Sequence, residues 1–310
     1  MAGGPFRFGV QVTRTGSGAE WRDRARQIED LGYSTLFMPD HFDEQLAPMP
    51  AMAMAAAHTT TLRIGALVFD NDYKHPAILA KEAATIDLCS DGRLELGIGA
   101  GWMRTDYDAL GLPYDPPAVR VDRFEEALHV IRECFTGERF TYHGEHYRIT
   151  DYASWPVPTQ KPLPILIGGG GKRVLSIAGR EADIVGINPN LREGRIGRDA
   201  SLDSLADQTD RKVEWVRAAA GPRWDAIEIQ MRFFITSVRP DRMAFAEQIA
   251  PMFGVSPEEA VESAAALVGT EAEIIEQLER RRERWGLSYV VVGDDNVEEF
   301  APIVAALNGR

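Results

Sequence analysis

Residues 93–102 read RLELGIGAGW, and the reading of these ten residues decides the fold. Leu94, Leu96 and Ile98 alternate with Glu95, Gly97 and Gly99 as a strand would. Gly101 and Trp102 end the run. Glycine weakens a strand interior, since it packs nothing and loses more chain entropy than any other residue. Glycines spaced two apart therefore mark backbone that must be approached closely. Two explanations fit. Either a flat or bulky ligand lies against bare backbone with Trp102 at its rim, or the strand turns tightly into a helix and Trp102 packs in the core.

Outward from this run, strand and helix patterns alternate along almost the whole chain. Short Val/Ile/Leu-rich strands are expected at 6–12, 34–38, 63–68, 93–98, 164–167, 184–187, 226–237 and 289–292. Helical spacing is expected at 19–31, 50–58, 76–89, 119–135, 173–178, 204–219, 297–307 and through most of 241–285. Residues 136–162 break the rhythm with a hairpin around His143-Gly144 and the extended stretch WPVPTQKPLP. Apolar strands buried on both faces belong to parallel sheets. Eight strand–helix units in 310 residues predict a single (β/α)₈ barrel over 1–310, with a hairpin and Pro-rich insertion after the fourth helix. A doubly wound open sheet is the competing architecture.

Forty-seven acidic against 34 basic residues give a net charge of −13. Such a surface repels phosphate backbones, which excludes nucleic acid as the expected partner. Cys89 and Cys134 are the only cysteines, too few for a disulfide framework and without metal spacing, so both are expected as buried thiols. No run reaches 18 apolar residues, and MAGGPFRFGVQV lacks the pattern of a secretion signal. A cytoplasmic protein that engages no membrane is the expectation.

In a (β/α)₈ barrel, chemistry collects at the C-terminal strand ends. After the second strand comes Asp40-His41, a carboxylate beside an imidazole, suited to proton transfer or to polarising a ligand's edge. Alternatively Asp40 caps the next turn and His41 is exposed. After the third strand comes VFDND (68–72), after the fourth Ala100, Gly101 and Trp102. After the fifth, four glycines (168–171) and then Lys172 and Arg173 open a helix. Backbone N–H groups at a helix start cradle phosphate. A Walker loop is excluded, because Leu166 stands where its first glycine belongs and Arg173 where Ser or Thr belongs. A Rossmann fingerprint is excluded because Trp102 replaces its last glycine. No metal centre is expected: His143 and His146 read as hairpin surface, His58 and His129 as structural, and His75 as a cap for the helix starting at Pro76.

Three stretches carry a family resemblance: LGYSTLFMPDHF, HPAILAKEAATIDLCSDGRLELGIGAGW and PLPILIGGGGKRVLSIAGREADIVGI. With them the chain resembles the bacterial luciferase-like flavin and deazaflavin oxidoreductases, especially the actinobacterial branch using coenzyme F420. The resemblance implies a (β/α)₈ barrel, often dimeric, and hydride transfer between F420 and a small organic substrate. An FMN-dependent monooxygenase, or a non-catalytic flavin carrier, are the alternatives. It implies that His41 is catalytic, with Asp40, Ala100 and Gly101 near the ring. It also implies a non-proline cis peptide at Ala66-Leu67 behind the ring, Gly170, Gly171 and Ala178 at the phosphate, and Phe69 and Trp102 on the substrate face. Trp102 stands where deazaflavin sugar-phosphate dehydrogenases carry a glutamate base, and FDEQ (42–45) lacks their tryptophan. A more apolar substrate is therefore expected.

Overall fold

The computed structural model describes residues 4–195 and 197–310, so the first three residues of MAGGPFRFGVQV lie outside it. The chain opens with β1 (Arg7–Gln11), α1 (Gly18–Asp30), β2 (Thr35–Met38), α2 (Pro48–Ala57), β3 (Arg63–Ala66), β4 (Phe69–Asp70), α3 (Pro76–Cys89) and β5 (Leu94–Gly99). Next come α4 (Arg104–Leu110), α5 (Pro117–Thr136), the antiparallel hairpin β6 (Phe140–His143) and β7 (Arg148–Tyr152), β8 (Ile165–Gly169), α6 (Lys172–Glu181) and β9 (Ile184–Ile187). The last third holds α7 (Arg198–Leu202), α8 (Ala206–Ala220), β10 (Glu228–Arg232), β11 (Ile235–Val238), α9 (Arg242–Phe253), α10 (Pro257–Glu262), β12 (Ala266–Gly269), α11 (Glu271–Trp285), β13 (Leu287–Gly293) and α12 (Val297–Leu307).

The parallel strands run in the order β3-β2-β1-β13-β10-β9-β8-β5, and β3 also pairs with β5, which closes the barrel. The expected (β/α)₈ barrel is therefore the fold, and the open sheet is excluded. The third strand is interrupted: β3 and β4 both pair with β5, on either side of Leu67 and Val68.

Three expectations need correction. The single strand expected at 226–237 splits at Phe233, whose N–H still bonds Val291. Beyond it β11 leaves the barrel and pairs with β12. The helical stretch expected at 241–285 is broken by β12, because Ala-Leu-Val-Gly lies along β11 and only Thr270, in a capping box with Glu273, restarts a helix. Cys134 is buried, but Cys89 is exposed at the end of α3, beyond that helix's buried stripe.

The barrel interior is layered. Arg7 bridges Glu95 and Glu228 at the N-terminal end, Arg63 Nε donates to Glu95 at 2.7 Å and Tyr289 donates to Glu95 at 2.9 Å. Burial alone would raise the Glu95 carboxyl, but the guanidinium groups of Arg7 and Arg63 hold it below its ordinary value. Above this ionic floor sit Phe37, Leu166, Ile184, Tyr289 and Val291. The main apolar core fills the shell between strands and helices. The Pro-rich stretch is pinned to α3, where Asp87 accepts from Thr159 and Gln160 N–H groups at 2.7 and 3.0 Å.

The glycines of β5 face this interior, and their neighbour is the chain itself. A Cβ on Gly97 would lie 1.8 Å from the Ala66 carbonyl oxygen, and one on Gly99 would lie 2.9 Å from Val68. The interrupted third strand bulges into the space that side chains would take. A Gly97→Ala variant therefore loses more than about 4 kcal/mol or fails to fold, since backbone cannot yield to the added methyl. Gly18→Ala at the start of α1, whose new Cβ meets nothing closer than 3.6 Å, changes stability by less than about 1 kcal/mol. Urea denaturation of both variants checks the contrast.

Candidate functional site

The C-terminal strand ends bring most of the expected residues to one side of the barrel mouth. His41, just past β2, reaches α4: its Nδ1 is 2.8 Å from Asp106 Oδ2. A carboxylate has no proton to give, so Nδ1 donates and Nε2 is left as the ring's other nitrogen. Asp106 is 5% exposed and accepts a second bond from Tyr73 OH at 3.1 Å. The indole of Trp102 meets the His41 ring edge-on, centroids 5.5 Å apart at 88°. Trp102 is partly buried and lies at the rim rather than in the core.

Asp40 turns inward and accepts the Asp70 N–H at 3.1 Å. Burial raises its carboxyl, against the pull of that N–H and of His41 and Lys74. Asp70 and Asp72 share Tyr107, whose hydroxyl lies 2.9 Å from Asp70 Oδ2 and 3.0 Å from Asp72 Oδ2. Burial, with the Asp72 and Asp40 charges nearby, pushes the Asp70 carboxyl up to about 7 despite the bonds from the Asp72 N–H and Tyr107. Arg123 neutralises Asp72 at 2.8 Å.

Gly101 closes over this cluster. Its φ is +76°, and a Cβ there would lie 2.1 Å from Tyr107 OH and 2.6 Å from Asp70 Oδ2. So the glycine run at 97–101 makes room for the protein's own backbone and acid cluster.

Across the mouth, Gln11 at the end of β1 donates from Nε2 to the Leu67 carbonyl at 3.2 Å. Arg232 at the end of β10 donates from Nε to Gln11 Oε1 at 2.9 Å. The cis peptide lies at Leu67-Val68, one residue later than expected at Ala66-Leu67. Ala66 still pairs with Met38, and Leu67 N–H still bonds the Met38 carbonyl, so regular pairing holds to that point. Leu67 and Val68 are partly exposed at the mouth.

Other expected residues fall elsewhere. Phe69 is 3% exposed within the shell between strands and helices, because β4 alternates and turns Asp70 inward instead. Ala178 is fully buried, six residues and about 9 Å along α6 from its first residue. Ala66 is fully buried, with Ala100 packed at the edge of the core. At the glycine-rich turn, Gly170 makes room for Pro189, 2.3 Å from a would-be Cβ. Gly171 caps α6 with no side chain bonded to the first turn, and nothing lies within 3.8 Å of a would-be Cβ. Arg173 does not join the turn; it pairs with Asp122 and Glu125 of α5 at 2.5 and 2.6 Å. His75 caps α3, as expected, by accepting the Ala77 N–H.

Tyr73 escapes notice in the sequence because it sits in the short turn after β4, and Asp106 and Tyr107 because α4 was not expected. Its signal is Thr-Asp-Tyr between Trp102 and Gly111, a left-handed glycine that ends the helix. Gln11 and Arg232 announce themselves only as polar residues at inward positions of apolar strands.

The Asp70 carboxyl gives a signed expectation. A group raised from 3.8 to about 7 favours the fold in its neutral form. Its contribution is fully present below the ordinary carboxylate range and is lost as pH rises through about 7. Asp70→Asn therefore leaves the melting temperature near wild type at pH 4 and raises it by several degrees at pH 8. Thermal unfolding across that range checks it; a constant difference would reject the buried neutral acid.

Comparison with known proteins places these features. A sequence model of the family described as luciferase-like monooxygenase matches residues 4–223. The chain is 30% identical over 241 residues to an F420-dependent glucose-6-phosphate dehydrogenase of Nakamurella multipartita, covering 75% of this chain and 68% of that one. It is 29% identical to an FMNH(2)-dependent dimethylsulfone monooxygenase of Pseudomonas putida, over 58% of this chain and 46% of that one. In three dimensions it matches a coenzyme F420-dependent tetrahydromethanopterin reductase of Methanopyrus kandleri with TM-score 0.79, over 98% of this chain and 100% of that one, at 18% identity. The His41–Trp102 mouth thus stands on a scaffold shared by sequence and by shape, and the chain belongs to the luciferase-like monooxygenase family.

Proposed function

We propose that this protein is an oxidoreductase that transfers hydride between coenzyme F420 and a small organic substrate. The observation that carries the reading is His41, held by Asp106 and faced by Trp102 beside the Leu67-Val68 bulge at the barrel mouth. The names of the dehydrogenase and reductase relatives support the cofactor.

The residues fit such a group. Leu67 and Val68 offer an apolar back wall at the mouth. Gly171 leaves the first turn of α6 without a side-chain cap and open to a phosphate. When bound, F420 supplies a two-electron hydride acceptor or donor. Asp40, Ala100 and Gly101 shape the ring's seat. Asp106 holds the His41 ring by Nδ1, so Nε2 is the atom that takes the hydroxyl proton during alcohol oxidation, or returns it during carbonyl reduction. Trp102, edge-on to the His41 ring, shields one side of it from water. Trp102, where sugar-phosphate dehydrogenases are expected to carry a glutamate, favours a more apolar substrate.

The same wall and phosphate cradle suit FMN, and the dimethylsulfone monooxygenase relative supports an FMN-dependent monooxygenase as the second reading. The reading places a homodimer in the cytoplasm.

A fluorescence titration with F420, FMN and FAD decides among these readings: micromolar binding of F420 is expected, and binding of none of the three overturns the assignment. His41→Ala is expected to keep F420 affinity within about tenfold while turnover falls about 10²–10⁴-fold. F420 binding by the wild type with no turnover to lose would make the protein a carrier, and turnover unchanged in His41→Ala would overturn the role given to His41.

A further inference from the structure

The barrel holds guanidinium groups at both ends of its interior, and the two ends are treated differently. At the floor, Arg7 and Arg63 are matched by Glu95 and Glu228. At the mouth, Arg232 has no carboxylate within 4 Å among the described residues. Alternation along β10 turns Gln230 and Arg232 inward, while Ile229 and Met231 pack in the outer shell. Arg232 donates from Nε to Gln11 and from Nη1 to its neighbour's carbonyl, on Phe233. Its Nη2 rests beside Gly293, where a Cβ would come within 3.0 Å, and donates to no acceptor among the described residues. Burial brings the guanidinium down to about 10, with only distant help from Asp294, whose own carboxyl is raised by burial. Arg281 is lowered as far, but it is closed between Phe233 and Trp285 and donates to the Ser263 carbonyl. Arg232 instead lies against Phe234, which is 55% exposed.

A largely buried cation with no carboxylate in contact is costly, and truncating or pairing it are the two ways a site resolves that cost. We propose that Arg232, oriented by Gln11, binds the carboxylate of an organic-acid substrate whose reacting carbon lies at His41. The proposal rests on the hydride-transfer reading and names its substrate class. Gln11 fixes the fork: its oxygen accepts from Arg232 and its nitrogen is committed to the Leu67 carbonyl, so the guanidinium edge bearing Nη2 is presented as the open donor. β2 and β10 are three strand spacings apart around the barrel. At about 4.8 Å per spacing this is about 14 Å along the wall, room for a short chain between the carboxylate and the reacting carbon.

The test uses benzoate as the probe and uncharged benzamide as its control, read by saturation-transfer NMR on the protein with and without F420. Benzoate is expected to bind at least about tenfold more tightly than benzamide, the share of one charge-assisted contact. Arg232→Met is expected to erase that preference while the F420 dissociation constant stays within twofold of wild type. Should that variant not fold, Arg232→Lys still weakens benzoate, because an ammonium cannot keep Gln11 and present a second parallel donor. Equal binding of benzoate and benzamide overturns the proposal, as does benzoate affinity indifferent to either variant. Loss of F420 affinity in Arg232→Met also overturns it, since the cation then serves the cofactor. Absence of F420 binding by the wild type rejects the hydride-transfer reading alone, because the arm without F420 reports on the anion site separately.

Discussion

Everything at the barrel mouth depends on one close approach, that of the Ala66–Val68 backbone to β5. The Ala66 carbonyl occupies the place of a Gly97 side chain, and Val68 occupies that of Gly99. Close-packed interiors leave no slack for such an intrusion unless a partner gives up its own volume. Two glycines do so, and the consequences spread in both directions. The third strand breaks into β3 and β4, which resets the alternation so that Asp70 points inward and Phe69 outward. The Leu67 carbonyl becomes available to Gln11, and through Gln11 the bulge is tied to Arg232 on the far wall.

Beneath Gly101, the acid cluster provides the second constraint. Asp70, Asp72 and Tyr107 crowd together, with Asp40 close by, and among the described residues only Arg123 forms an ion pair with them. The crowding shows in the Asp70 carboxyl, which burial and the neighbouring charges push up to about 7. The ionic floor works in the opposite sense. There Glu95 is buried more deeply, yet two guanidinium groups keep it ionised. The same barrel thus uses both available answers to a buried carboxylate.

Much of this was legible in the sequence. The β–α alternation identified the closed barrel, and the strand ends pointed to Asp40, His41 and Trp102, which meet at one side of the mouth. What escaped was set by tertiary packing. Regular pairing with Met38 carries past Ala66, which moves the cis peptide to Leu67-Val68. Phe69 reads as a strand-end aromatic until the break in the strand reverses its face. Ala-Leu-Val-Gly reads as helix until β11 supplies a partner. α4 is only seven residues long and hides between a tryptophan and a glycine, although it carries the carboxylate that holds His41. The glycine-rich turn was read with two cations, and packing assigns Arg173 to α5 instead.

The sealed floor bears on the order of events. Arg7, Glu95, Arg63 and Glu228, with Phe37 and Tyr289 stacked above them, fill the barrel from its N-terminal end. Among the described residues, the interior is left open toward the C-terminal strand ends. Two ligands that occupy the mouth together must both pass through it, so the one seated deeper enters first and leaves last. On the proposed reading, cofactor and substrate would therefore exchange through the same opening.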